Sequence, residues 1–165
     1  VGRAIAAFER TIISDNSPYD KYIAGDKSAM SPTAILGLSL FEGKANCTAC
    51  HDGPNFTDDS FHNIGVSSVH ADLGRAAITG DKTFNGAFKT PGLRNALLTA
   101  PYMHDGSEAS LEEVVRFYNK GGTHKEQLST LIKPLNLNEE EILALVAFLG
   151  ALTDPISIDR PTIPQ

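Results

Sequence analysis

The sequence predicts an all-α fold of short helices and long irregular loops, and three observations carry that prediction. Apolar residues recur at helical spacing in short segments toward both ends of the chain. The later segments open on capping boxes and an earlier one on a serine–proline pair. No stretch alternates apolar and polar residues for long enough to make a strand.

The first helix is predicted over residues 1–14, with Ile5, Phe8 and Ile12 as its stripe and Ser14-Asp15-Asn16-Ser17-Pro18 as its stop. The chain opens on Val1-Gly2-Arg3-Ala4-Ile5, already in helical register and without a cap, and shows no signal peptide. That start reads as the start of a processed chain or of a piece of a longer one. A short helical piece over Tyr19–Ile23 precedes Gly25-Asp26. Ser31-Pro32 begins the next helix, because the hydroxyl caps free N–H groups and proline fits the first turn. Ile35, Leu38 and Phe41 face one way on it, and Gly43 ends it.

From 52 to 109 the chain is rich in Gly, Pro, Asn, Asp and Thr and has no long periodic segment. So long an irregular stretch is uncommon inside a compact domain. Helical order returns at Ser110-Leu111-Glu112-Glu113, with Leu111, Val114, Val115 and Tyr118 as the stripe and Gly121-Gly122 as the stop. A short helix is predicted over Lys125–Ile132. The strongest helix opens at Asn138-Glu139-Glu140-Glu141 and faces Ile142, Leu145, Val146 and Leu149 one way, its three acidic residues matching the helix dipole. After Asp154-Pro155 the tail reads as extended and loosely held. The 165 residues are expected to form one domain: a helix and linker over 1–30, a core over 31–154 and a tail over 155–165.

The core is built around Cys47-Thr48-Ala49-Cys50-His51, a C-x-x-C-H run that holds both cysteines of the sequence. Two thiols three residues apart can bond the two vinyl groups of one porphyrin, and the adjoining histidine can ligate its iron. A zinc site would need a second ligand pair, and none follows. A thioredoxin-like pair would need a βαβ setting, and a plain disulfide gives no reason for His51. A single covalent haem c also accounts for the irregular stretch, since porphyrin supplies apolar contact that side chains otherwise provide. The predicted class is thus a cytochrome c-like haem domain, all-α, with long loops around one covalently bound haem.

Composition is that of an ordinary globular protein, 41% hydrophobic and 21% charged. The net charge of -6 argues against nucleic acid and anionic membranes and suits a basic redox partner protein. No run of eighteen apolar residues is present to span a membrane.

Further along, Gly86-Ala87-Phe88-Lys89-Thr90-Pro91-Gly92-Leu93-Arg94-Asn95, Thr99-Ala100-Pro101-Tyr102-Met103-His104-Asp105-Gly106 and Leu111-Glu112-Glu113-Val114-Val115 form a distinctive series. With Ala6-Ala7-Phe8-Glu9-Arg10-Thr11-Ile12 and Asp72-Leu73-Gly74-Arg75, the chain resembles the C-terminal haem domain of the bacterial di-haem cytochrome c peroxidase and MauG family. The resemblance implies a periplasmic oxidoreductase that reduces hydrogen peroxide or oxidises a protein substrate. In that family this haem passes electrons from a donor to a second haem, where peroxide reacts. Only one attachment motif is present here, so the second haem is expected on another domain or chain. The other readings are a stand-alone mono-haem electron carrier and a haem domain kept for structure or assembly.

The family's distal ligand on this haem lies in the helix after P-Y-x-H-x-G. Counting from Gly106 puts Tyr118 there, as in MauG-type members, where peroxidases commonly carry methionine. Met103 is the rival, methionine with histidine being the usual electron-transfer pair. A packing tyrosine whose hydroxyl finds a hydrogen bond is the plain alternative. A phenolate ligand would favour ferric iron and a low potential. Arg75 and Arg94 are candidates to fork onto the haem propionates. His62, His70, His104 and His124 read as hydrogen-bonding loop histidines. The resemblance further implies a calcium ion on the backbone carbonyls of Thr99 and Pro101. It also implies a tryptophan just before the attachment motif, where Ala45 stands in a chain without tryptophan.

Overall fold

The computed structural model of the chain describes residues 1–155. Its helices are α1 (Gly2–Glu9), α2 (Pro18–Ile23), α3 (Pro32–Glu42), α4 (Ala76–Thr79), α5 (Leu111–Asn119) and α6 (Glu139–Ala151). Local chemistry starts most of them. Ser31 Oγ accepts the Ala34 N–H at the head of α3. Capping boxes pair Ser17 with Asp20, Ser110 with Glu113 and Asn138 with Glu141 at the heads of α2, α5 and α6. Gly43 closes α3 as expected.

Three expectations need correction. The all-α reading misses a two-residue antiparallel ribbon, β1 (Phe61–His62) with β2 (Phe88–Lys89). Strands this short carry no alternation to detect, and loop contacts such as Thr90 N–H to Ser60 O hold them together. The helix predicted over Lys125–Ile132 is instead a run of turns. Its backbone is spent on buried Asn63, whose Nδ2 donates to Glu126 O and whose carbonyl accepts from Ser129 N–H. Lys125 turns back and lays its ammonium on the carbonyls of Lys120, Gly121 and Gly122. The first helix stops at Glu9 rather than near residue 14, the Thr11 hydroxyl donating to Phe8 O just past its end, so Ile12 lies outside it. The tail from 156 onward lies outside the described residues.

α3 and α6 cross in the middle of the core. Gly37 is the contact point: a Cβ built there would lie 1.9 Å from Ala144 O and 2.7 Å from Phe148 Cβ. Only a residue without a side chain permits that approach. Beside the crossing, Tyr19, Phe41, Phe56 and Phe148 meet with ring centroids 5.0 to 6.2 Å apart, mostly edge to face. Ile142, Leu145 and Leu149 are buried on α6 as predicted, with Ala144 and Phe148 beside them. α1 differs: it buries none of its residues, and Ile5 and Phe8 are exposed.

Candidate functional site

The site grows from the end of α3. Ala45 N–H closes on Leu40 O, and Asn46 takes a left-handed conformation (φ 51°) that turns the chain into a single 3₁₀ turn, Cys47–Ala49. Cys50 N–H and His51 N–H both return to Cys47 O, at 3.2 and 2.8 Å. The two thiols are free and half-buried. Burial, with Cys50 adding, pushes the Cys47 thiol up to about 12. Burial, then Asp58 and Asp52, raise Cys50 as well. Reactive and metal-binding cysteines need surroundings that favour thiolate. These surroundings favour an uncharged sulfur, which is what a thioether is.

His51 is held in one orientation. Its Nδ1 lies 2.9 Å from Phe56 O, so Nδ1–H donates there and the Nε2 lone pair is left for a ligand bond. Burial lowers its pKa below the ordinary value, outweighing the Phe56 and Pro91 carbonyls and Asp58, and keeps the ring neutral at pH 7. Phe56 itself is wedged among the core aromatics at φ 54°. The aromatic cluster therefore fixes the carbonyl that fixes the histidine.

Tyr118 points from α5 toward the same place. Burial raises its hydroxyl well above the usual phenol value, and Cys47 and Cys50 add to the rise, so the phenol lies within electrostatic reach of both sulfurs. It makes no hydrogen bond among the described residues, unlike Tyr102, whose hydroxyl donates to Ala96 O. A packing tyrosine normally finds such a partner.

The other sequence candidates lie on other segments of the chain. Met103 is half-buried at φ 68°, in the turn that Tyr102 and Glu108 close through paired backbone bonds. Arg94 is already engaged: its guanidinium forks onto Asp20 with two contacts of 2.9 Å, and its Nε donates to Pro54 O. This fork ties α2 to the loop after the motif. Arg75 is exposed, its guanidinium 4.4 Å over the Phe61 ring, with no carboxylate partner among the described residues. Thr99 and Pro101 are exposed, the Thr99 hydroxyl donating to Ala96 O. No group of acidic side chains gathers by them among the described residues. His104 stacks on Phe88 at 3.6 Å. Ala45 is buried at the end of α3.

One cluster went unseen in the sequence. Cys50 Sγ, an Asp58 carboxylate oxygen and a His62 ring nitrogen all lie within 4.8 Å of one another. His62 Nε2 is 2.7 Å from Asp58 Oδ2, and Ser60 N–H donates to Oδ1. Burial works against the Asp58 charge, but these contacts outweigh it and hold the carboxyl down to about 2. The β1 turn brings these residues together, and nothing in their spacing announces it.

A family model described as di-haem cytochrome c peroxidase matches residues 1–28. The methylamine utilization protein MauG of Methylorubrum extorquens is 44% identical, the match covering 99% of this chain and 47% of that protein. Cytochrome-c peroxidase IdrP1 of Denitromonas iodatirespirans is 40% identical over 98% of this chain and 52% of its own length. The solved structure of a MauG-like protein associated with microbial copper homeostasis superposes with a TM-score of 0.84 at 35% identity, over 92% of this chain and 56% of that one. The chain therefore spans about half the length of the curated relatives it matches.

Proposed function

The chain belongs to the di-haem cytochrome c peroxidase and MauG family, and we propose that it is the C-terminal, electron-transfer half of such an oxidoreductase. It would carry one covalent haem c and pass single electrons between a donor protein and a peroxide-reducing haem on another domain or chain, in the periplasm. The observation that carries this reading is the 3₁₀ turn holding both uncharged sulfurs next to a histidine whose Nδ1 is tied to Phe56 O. When bound, haem supplies one-electron iron chemistry. The chain's own residues do the rest. Cys47 and Cys50 anchor, His51 presents Nε2, and the core aromatics keep that ring from rotating. Tyr118, half-buried with a desolvated hydroxyl and without a hydrogen-bond partner among the described residues, is the nominee for the distal position, with Met103 as the alternative. Arg75 and Arg94 are the nominees for the propionates, Arg75 with no carboxylate partner among the described residues and Arg94 with its fork on Asp20. Calcium on the carbonyls of Thr99 and Pro101 would draw its remaining ligands from the other domain. The unburied apolar face of α1 supports a second domain lying against it.

Native mass spectrometry with a pyridine haemochrome assay tests the reading. One covalent haem per chain, in a particle that holds a second haem, is the expected result. A colourless chain with the mass of bare polypeptide, made with a working maturation system, overturns it. A lone monomer with one haem and no peroxide turnover leaves the stand-alone carrier.

Tyr118→Phe tests the distal ligand. Its ferric optical and EPR spectra are expected to change from those of the parent protein; unchanged spectra remove Tyr118 and leave Met103, another histidine or an open site.

A further inference from the structure

Asp58 stands out because nothing in the proposed electron relay uses it, yet the fold holds it firmly. Its backbone N–H donates to Cys50 O at 2.8 Å, which locks it to the attachment turn. Its carboxylate is fixed at both oxygens, by His62 Nε2 at 2.7 Å and by Ser60 N–H at 2.9 Å. That places it within 4.8 Å of Cys50 Sγ. The neighbouring lysine does not neutralise it, because Lys89 pairs with Asp59 instead. The Asp58 side chain is only 21% exposed, so water screens its charge incompletely.

We propose that Asp58 is a potential-setting residue, its carboxylate lowering the reduction potential of the haem carried at the Cys50 sulfur. The inference rests on the haem reading above. Ferric haem carries one more positive charge than ferrous, so a fixed anion at the porphyrin edge favours the ferric state. His62 serves as a positioning residue: its Nε2, 2.7 Å from Asp58 Oδ2, aims the carboxylate.

The test is a potentiometric titration of the haem-loaded protein and of four variants. Asp58→Asn is expected to shift the ferric-to-ferrous balance about tenfold toward ferrous, about 59 mV for one electron. Asp58→Glu keeps the charge and is expected to titrate close to the parent. Asp59→Asn removes the same charge one residue away, from a side chain 75% exposed and paired with Lys89, and is expected to leave the potential unchanged. Where Asp58→Asn fails to take up haem, His62→Lys sets a permanent cation against the same carboxylate and is expected to raise the potential likewise. Equal shifts for Asp58→Asn and Asp59→Asn, or a fall in potential for Asp58→Asn or His62→Lys, overturn the inference and leave the haem reading standing. A parent protein that never binds haem overturns both.

Discussion

Gly37→Ala is expected to cost at least about 3 kcal/mol of stability, at or beyond the upper end of ordinary overpacking effects. The new methyl would sit 1.9 Å from Ala144 O and 2.6 Å from Ala144 C, both backbone atoms of α6. No side chain can be trimmed or rotated to make room, so α3 and α6 must separate. Separation opens the densest part of the core, where Phe148 and Leu152 are fully buried, and voids there are costly. Alanine's better helix propensity returns only about 1 kcal/mol. The urea midpoint of the haem-loaded variant measures the net effect. A companion Ala144→Gly change is expected to give no rescue, because the clash is with the main chain. A loss below about 1 kcal/mol would mean that the helices do not cross where described. The turn that presents Cys47 follows directly from α3, so the surviving folded fraction is also expected to bind haem less completely.

The second large effect concerns Arg94. Arg94→Met leaves Asp20 with Ser17 alone, at side chains only 17% and 18% exposed in the parent. Breaking one side of such a partly buried pair should cost about 2–3 kcal/mol at pH 7, between the values for a charged hydrogen bond and a fully buried pair. The cost is expected to depend on pH. Burial alone would raise the Asp20 carboxyl, but the Arg94 fork and the Ser17 hydroxyl and N–H outweigh it and hold it below the usual carboxylate value. A carboxyl depressed in the folded state contributes stability above its unfolded value, about 3.9, and loses it as pH falls through the folded value. The gap between parent and variant is therefore full at pH 7 and narrows below about pH 4. Urea titrations at pH 7 and pH 3 read both limits. A gap of equal size at the two would show that Arg94 acts by packing on Phe56, 5.8 Å from its guanidinium, and not through Asp20.

These effects also mark what the sequence could and could not disclose. The Cys47–His51 candidate was legible because all its residues stand side by side in the chain. Helix starts at Ser31, Ser110 and Asn138 were legible because a cap acts on N–H groups only two or three residues away. Tyr118 could be placed on an inward face from the register of α5, but only packing shows it without a hydrogen bond near the two sulfurs. The Arg94–Asp20 pair was not legible because the partner lies 74 residues upstream, and a fork can close on any carboxylate the fold delivers. The turns after Gly122 were misread as a helix for the same reason, since Asn63, far back in the chain, claims their backbone groups. Gly37 did leave a local trace: glycine inside a helical segment is unfavourable and asks for a packing reason.

The lysine curled over the end of α5 has a consequence of its own. Three backbone oxygens converging on one positive centre is how many loops recruit an ion from the medium. Here the polypeptide brings its own, on the end of a side chain. Chelators and changes of counter-ion should therefore leave this corner of the molecule untouched, whereas acetylating the Lys125 amine removes the charge and leaves a single N–H where there were three.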